Sequence, residues 1–416
     1  MALSGPVLVV ADEANEVCEA LTRGGNLPMR EVAPAEAVAA IAKVKPSAAV
    51  LAACCPEKTA QAIAVKLAKA GGALVPLLAV VRDSDAPAFG NALPIQAETI
   101  ASHLVPRLRA ALRVRALHAT VLRRAEELAA RLDTPDLPDN DPLEDATVLV
   151  AGRGRGYPAL TVAVGERVGL IGALSIETAR SYLAARDIDG LVIGDGFNRS
   201  VVEDFVDELC ADPRWRDLPV IVPASVRDAD PERMANVDRL SGEPERIARH
   251  ILPFARQHAL AARLKRMAAS LDQKGVLAPD TGLMTHGAFM GELARVAATA
   301  QARGAGLSIA RLSFDAIANR RASVDAARIV GRLLRKSDIA CRDEDGTILL
   351  AFPETDLVTA HVVARRIASV LKHTTLAVGA ERTRLGPTVA LAAFRARDTV
   401  DTLLARTIDQ RMVAGE

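Results

Sequence analysis

Aromatic side chains are scarce in this 416-residue chain. One Trp, two Tyr and eight Phe make up 3% of it, although half of all residues are hydrophobic. Its cores must therefore be filled mostly by Ala, Val, Leu and Ile. An excess of either charge is also missing, with 52 basic against 51 acidic residues and a net charge of +1. No global field is left to gather nucleic acid or anionic lipid, so a basic binding footprint is excluded. Five cysteines, Cys18, Cys54, Cys55, Cys210 and Cys341, show no metal-ligand spacing. An odd number with an adjacent pair suits reduced cytosolic thiols. No leader-like segment and no apolar run of membrane length occurs, which predicts a soluble intracellular chain without membrane insertion. The length allows about two to four domains, each with a real core.

What is present begins with alternation. Val7 to Val10 reads as a buried strand, followed by the acids Asp12 and Glu13 and a helical pattern through Leu21. Pro46 to Leu51 and Leu74 to Val81 are further apolar strands with Ala-rich helices between them. Strands alternating with helices of this length predict a parallel, doubly wound sheet. From Leu104 a helix pattern runs through Leu108, Leu112, Leu117, Val121 and Leu128. It fits a packed last helix and a dimerising coiled coil equally well. Asp133 to Pro142, with three prolines among acids, reads as a linker.

A second α/β segment starts at Thr147 to Val150 and includes the strands Gly190 to Ile193 and Leu218 to Val222. Gly152-Arg153-Gly154-Arg155-Gly156 has neither a nucleotide fingerprint nor a Lys-Ser/Thr ending, so an ordinary strand-to-helix turn is the better reading. Ile247, Ile251, Phe254, His258, Ala261, Leu264 and Leu271 mark a long helix. His258 on that stripe reads as a packed core histidine. Near the C-terminus, Ile339 to Cys341 and Thr347 to Phe352 flank Asp343-Glu344-Asp345-Gly346, a hairpin whose turn needs the positive φ that Gly accepts.

Both α/β segments resemble response-regulator receivers. In that family an acidic pair binds Mg²⁺, an Asp accepts a phosphoryl group and a Lys holds its charge. Here those positions fall on Ala11-Asp12, Ala52 and Leu93 in the first segment. In the second, Gly152-Arg153 and Gly194 stand in for the acidic pair and the acceptor, with Asp195 one step away. A step of one turns a strand residue to the opposite face. The resemblance therefore implies two receivers that take no phosphoryl group.

The hairpin resembles the active hairpin of diguanylate cyclase (GGDEF) domains, in a frame set by Arg342 before the turn and Pro353-Glu354-Thr355 after the second strand. Without a gap, the family signature falls on Glu344 to Ile348 and none of its five positions is kept. Thr281 to Phe289 resembles the entrance of such domains, with Thr285 and His286 where Asn-Arg is usual. The two metal-ligand positions are Ser313 and Gly346, and two-metal phosphoryl chemistry needs carboxylates at both. The guanine-reading segment is shortened around Asn319 to Asp325. The resemblance thus implies no cyclase activity, no catalytic residue and no metal. A diverged cyclase using Asp343, Glu344 and Asp345 is the enzymatic alternative.

Nine residues before the signature frame, the family's allosteric c-di-GMP site carries Arg-x-x-Asp, and here Arg335 and Asp338 occupy it. The pattern alone recurs, at Arg186 and Arg342 among others. Register singles out Arg335, and a further family contact, twenty-two residues past the frame, lands on Arg366. Guanidinium groups bind a guanine edge or phosphate in bidentate fashion, and a carboxylate accepts from the guanine N–H groups. The plain alternative is an i,i+3 surface ion pair between Arg335 and Asp338, worth about 0.2–0.5 kcal/mol.

The whole order resembles the PleD family of receiver–receiver–GGDEF response regulators, and within it the catalytically inactive members. The implied fold is α/β: two CheY-like doubly wound parallel-sheet receivers, then a GGDEF-like α/β (cyclase/ferredoxin-like) domain. The expected bounds are 1–118, a helical, Pro-rich linker over 119–143, 144–262, a connecting helix over 263–276, and 277–416. The implied function is that of a cytoplasmic c-di-GMP effector, placed at a cell pole, with c-di-GMP as regulatory ligand and no other cofactor. Implied partners are a second copy through the receivers and an adaptor linked to an AAA+ protease. A ligand-free dimerisation scaffold is the second alternative.

Overall fold

A computed structural model describes residues 5–12, 16–24, 27–82, 91–129, 140–314, 320–378, 381–409 and 412–413. Residues 133–139 of the expected linker, and Asn319 of the shortened segment, lie outside them. The chain divides into two compact units, one running to Leu264 without residues 183–187, the other from Lys265 onward with those five.

The first unit opens with β1 (Val7–Val10), α1 (Glu16–Arg23), β2 (Met29–Val32), α2 (Pro34–Val44), β3 (Ala48–Leu51), α3 (Glu57–Ala68), β4 (Leu77–Val81), β5 (Leu93–Gln96) and α4 (Ile100–Ala129). The strands pair in parallel in the order β2-β1-β3-β4-β5. This is a doubly wound sheet of the flavodoxin order. Strands β1, β3 and β4 are buried at every residue because helices cover both faces. Val7 and Val9 pack with α1 and α4, whereas Leu8 and Val10 pack with α2 and α3. That split follows from the two-residue side-chain period of a strand.

The same plan repeats in α5 (Pro142–Asp145), β6 (Thr147–Ala151), α6 (Tyr157–Gly165), β7 (Gly169–Ala173), α7 (Ile176–Ala185), β8 (Gly190–Ile193), α8 (Arg199–Ala211), β9 (Val220–Val222), β10 (Val237–Arg239) and α9 (Pro244–Asp272). Its sheet runs β7-β6-β8-β9-β10, again all parallel. The long helix expected from Ile247 to Leu271 is α9. Helix α4 decides between the two readings of its pattern over its first turns: Leu104, Leu108 and Leu112 are buried in the core of the first sheet, as a packed last helix requires. Phe254 of α9 enters the same cluster, so the two sheets share apolar packing.

The sheets also share a buried charge. Arg107 on α4 is fully buried and donates to the Pro94 carbonyl at 2.6 Å, the Ala235 carbonyl at 3.3 Å and Asp238 Oδ1 at 2.8 Å. His250 Nε2 bonds the other Asp238 oxygen at 2.7 Å. The Arg107 guanidinium stands 4.8 Å from the Phe254 ring centroid.

The second unit contains α10 (His286–Arg303), β11 (Leu307–Phe314), α11 (Arg320–Leu333), β12 (Ile339–Arg342), β13 (Ile348–Pro353), α12 (Leu357–His373), β14 (Thr375–Val378), β15 (Glu381–Arg384), β16 (Pro387–Ala393), α13 (Val400–Asp409) and β17 (Met412–Val413). Its main sheet is antiparallel in the order β12-β13-β11-β16-β17, and β14 pairs with β15 alone. Helices α11 and α12 cover one face through Ala326, Ala327, Val330, Ala364, Ile367 and Leu371. Helices α10 and α13 cover the other through Phe289, Leu293, Ala297 and Leu403. None of the helices among the described residues is long and apolar enough to cross a membrane.

Candidate functional site

The hairpin forms where the Asp-Gly turn was read. Strands β12 and β13 pair from Ile339 with Ala351 to Arg342 with Ile348. Gly346 N–H donates to the Asp343 carbonyl at 3.0 Å and Asp343 N–H donates to the Thr347 carbonyl at 2.8 Å, with Gly346 at φ +85°. The acids of this turn already have work. Asp345 accepts from the Thr347 N–H at 2.8 Å and its hydroxyl at 2.9 Å. Asp343 Oδ1 lies 2.5 Å from His286 Nδ1. Glu344 is exposed and has no bonded partner among the described residues.

Register brings Ser313 and Gly346 to the same end of the sheet. Leu312 pairs with Ile348, so Ser313 on β11 lies beside the end of the hairpin that carries Gly346. Neither residue offers a carboxylate.

On the α11–α12 face the structure locates all three expected ligand residues. Arg335 and Asp338 form a turn just after α11: Asp338 N–H donates to the Arg335 carbonyl at 3.1 Å, and Arg335 N–H donates to Asp338 Oδ2 at 3.0 Å. The Ser337 hydroxyl approaches the other Asp338 oxygen at 3.4 Å. No ion pair joins the two side chains, so the surface-pair alternative does not describe this turn. The carboxylate is instead fixed by main chain, and the Arg335 guanidinium is exposed without a protein partner among the described residues. Arg366 stands exposed on α12, likewise unpartnered. It is bonded to neither Arg335 nor Asp338; the helix before that turn and the helix that carries Arg366 share one apolar cluster. Arg342, out of register, is spent internally, donating to Ser323 Oγ at 2.6 Å.

The first unit holds the positions that the sequence reading compared with receiver sites. Ala52 ends β3 nearly buried, with its N–H on the Val10 carbonyl at 3.0 Å. Gly194 ends β8, where an added Cβ would stand 3.3 Å from Leu160 Cδ2. Asp195 is exposed, and its carbonyl accepts from Arg153 N–H at 3.2 Å and Gly154 N–H at 2.9 Å. A Cβ at Gly154 would come within 2.8 Å of Asp195 Cβ. The glycines of 152–156 thus let the loops after β6 and β8 touch. His258 is half-buried with Nδ1 3.0 Å from Asp189 Oδ1, a bonded structural histidine.

One group escaped sequence reasoning. His286, Cys341 and Asp343 bring a nitrogen, a sulfur and an oxygen within 4.8 Å of one another. The cysteines show no metal-ligand spacing along the chain, and it is the fold that brings these three residues together. Cys341 on β12 and Asp343 just beyond its end stand two apart, a weak signal in the sequence. Burial and the neighbouring Asp343 push the Cys341 thiol up to about 12.

No protein-family model matches the chain, and no curated protein matches it. Among solved structures, the chain is similar to the coiled-coil and GGDEF domain of DgcB from Caulobacter crescentus, solved with c-di-GMP. That match has 16% identity over 35% of this chain and 84% of that one, with a TM-score of 0.32. The diguanylate cyclase SiaD from Pseudomonas aeruginosa, solved with its activator SiaC, is 22% identical over 35% of this chain and 60% of its own, TM-score 0.32. The FimX GGDEF domain from Pseudomonas aeruginosa is 10% identical over 32% of this chain and 90% of its own, TM-score 0.31. These neighbours are GGDEF domains, and at such scores the likeness carries no functional argument.

Proposed function

We propose that the chain is a non-enzymatic c-di-GMP effector that takes the ligand at Arg335, Asp338 and Arg366 and answers by recruiting a protein. The observation that carries this reading is the state of the two arginines. Both guanidinium groups are exposed and unpartnered among the described residues, while Asp338 is held in place by the Arg335 main chain. A guanidinium fork left free on a surface suits a planar guanine edge or a phosphate, and a fixed carboxylate suits the guanine N–H donors. Ser313 and Gly346, which lack carboxylates, favour binding over turnover, and so do the engagements of Asp343 and Asp345.

The finer reading rests on the resemblance to PopA-like, inactive paralogues of PleD. By that resemblance the chain is a receiver–receiver–GGDEF protein at a cell pole. It would pair with a second copy through its receivers and hand a cell-cycle regulator to an AAA+ protease through an adaptor.

Isothermal calorimetry with c-di-GMP tests the site directly. Charge-assisted contacts are worth about 1.5–3 kcal/mol each, so Arg335→Ala should weaken binding at least about tenfold. Lys336→Ala, a point charge without the fork, should change little. Unaltered affinity in Arg335→Ala, or no binding by the wild type at micromolar ligand, would leave the dimerisation scaffold as the function.

A further inference from the structure

Cys341 lies in β12 and Asp343 is the first residue beyond its end, where its N–H still donates to the Thr347 carbonyl at 2.8 Å, so the two-residue period sets both side chains on one face. That face is the one covered by α10, since Cys341 packs in the cluster of Phe289, Leu293 and Met284. His286 is the first residue of α10. Its backbone is tied to β12 before the helix begins: Met284 N–H donates to the Ala340 carbonyl at 2.9 Å, and Met284 bridges to Cys341 in parallel. Thr285 N–H then donates to the Val276 carbonyl at 2.8 Å. The far side is fixed as well, because Asp343 is closed into the turn through Thr347. Three donor atoms of different chemistry therefore meet on main chain that is held from both sides.

We propose that His286 Nδ1, Cys341 Sγ and Asp343 Oδ1 bind one divalent transition-metal ion, zinc in the first place. The donor set selects the metal. Imidazole nitrogen with a thiolate suits zinc and its neighbours, whereas magnesium and calcium take oxygen ligands almost alone. In a tetrahedral zinc site the bond lengths are about 2.0–2.1 Å to nitrogen, 2.0–2.2 Å to oxygen and 2.3 Å to sulfur, which spaces the ligand atoms by roughly 3.2–3.7 Å. All three atoms here lie within 4.8 Å of one another. The 2.5 Å between His286 and Asp343 must widen a little, which is open to them because their side chains are 55% and 25% exposed. A thiolate and a carboxylate balance the two positive charges, and the thiol proton leaves to solvent as the Sγ–metal bond forms. The exposed side of His286 leaves the fourth position to water. Such an ion would clamp the 343–347 turn to the start of α10, and the proposal does not rest on c-di-GMP binding.

Cobalt substitution of the untagged, full-length protein after chelator dialysis tests it. One equivalent of Co²⁺ should give a near-ultraviolet thiolate-to-cobalt charge-transfer band with tetrahedral d–d bands, and Zn²⁺ should erase both. Cys341→Ser should lose the charge-transfer band. His286→Ala and Asp343→Asn should bind Zn²⁺ at least about tenfold more weakly in competition with a chromophoric chelator. A Cys54→Ser/Cys55→Ser variant should keep the signal, since that adjacent pair, with Cys54 exposed, is an alternative thiolate source for cobalt. His286→Ala alters a largely exposed side chain, so it reports even if Cys341→Ser folds poorly. A wild type without the charge-transfer band, unchanged affinity in His286→Ala and Asp343→Asn, or loss of the signal with Cys54 and Cys55 would each overturn the proposal. The group would then be a hydrogen-bonded His–Asp pair beside a packed thiol.

Discussion

Arg107 has no counterpart among ordinary surface arginines, because both it and Asp238 are out of water altogether. Burial alone would raise the Asp238 carboxyl. The Arg107 guanidinium and the His250 hydrogen bond outweigh it and hold Asp238 well below the usual carboxylate range. A carboxyl depressed in the folded state stabilises fully above its unfolded value, near pH 4, and loses that contribution only as acid approaches the folded value. At neutral pH, Arg107→Met strands a buried carboxylate and should cost about 3–5 kcal/mol, read from a denaturant titration. Gly346 poses the opposite problem, of shape without charge. At φ +85°, Gly346→Ala forces a left-handed conformation on an L-residue and should cost about 1–2 kcal/mol in the same assay.

Helix α4 carries two histidines that take up a proton less readily than a free imidazole. Burial, then the nearby Arg107, lowers His103, while burial, then Arg115, lowers His118. The Leu74 N–H donates to His118 Nδ1 at 3.1 Å, which needs that nitrogen unprotonated. The unfolded chain takes up these protons near pH 6.5, more readily than the folded helix does, so stability should fall as the pH drops from about 7 to 5. Denaturant midpoints across that range should decline, and less steeply in His118→Gln. Elements of this kind were unevenly legible. Strands β1 and β8 could be read outright because every residue in them is buried and apolar. Strand β2 could not, since three of its four residues are exposed at a sheet edge. The sequence placed Arg335 and Asp338 by their offset from the hairpin, but not the main-chain turn they form, in which Arg335 N–H donates to Asp338 Oδ2. Contacts across long separations were not legible: His286 meets Asp343 over 57 residues and Arg107 meets Asp238 over 131, and no periodicity encodes such a meeting.

For the chain as a whole, the chemistry of its α/β repeats should be silent. Beryllofluoride should leave its calorimetric trace unchanged, because Ala52 and Gly194 offer no acceptor oxygen; an acid-labile phosphate on Asp195 would contradict this. Purified protein with Mg²⁺ should likewise leave GTP unconverted. The two parallel sheets share the Phe254 cluster and the Arg107–Asp238 pair, so scanning calorimetry should show them melting in one transition. That shared pair also ties the histories of the two halves. A lineage that changed either Arg107 or Asp238 first would pass through a chain with one buried charge and no partner. Among descendants the two positions should therefore change together or stay fixed together, although each lies in a different copy of the repeat.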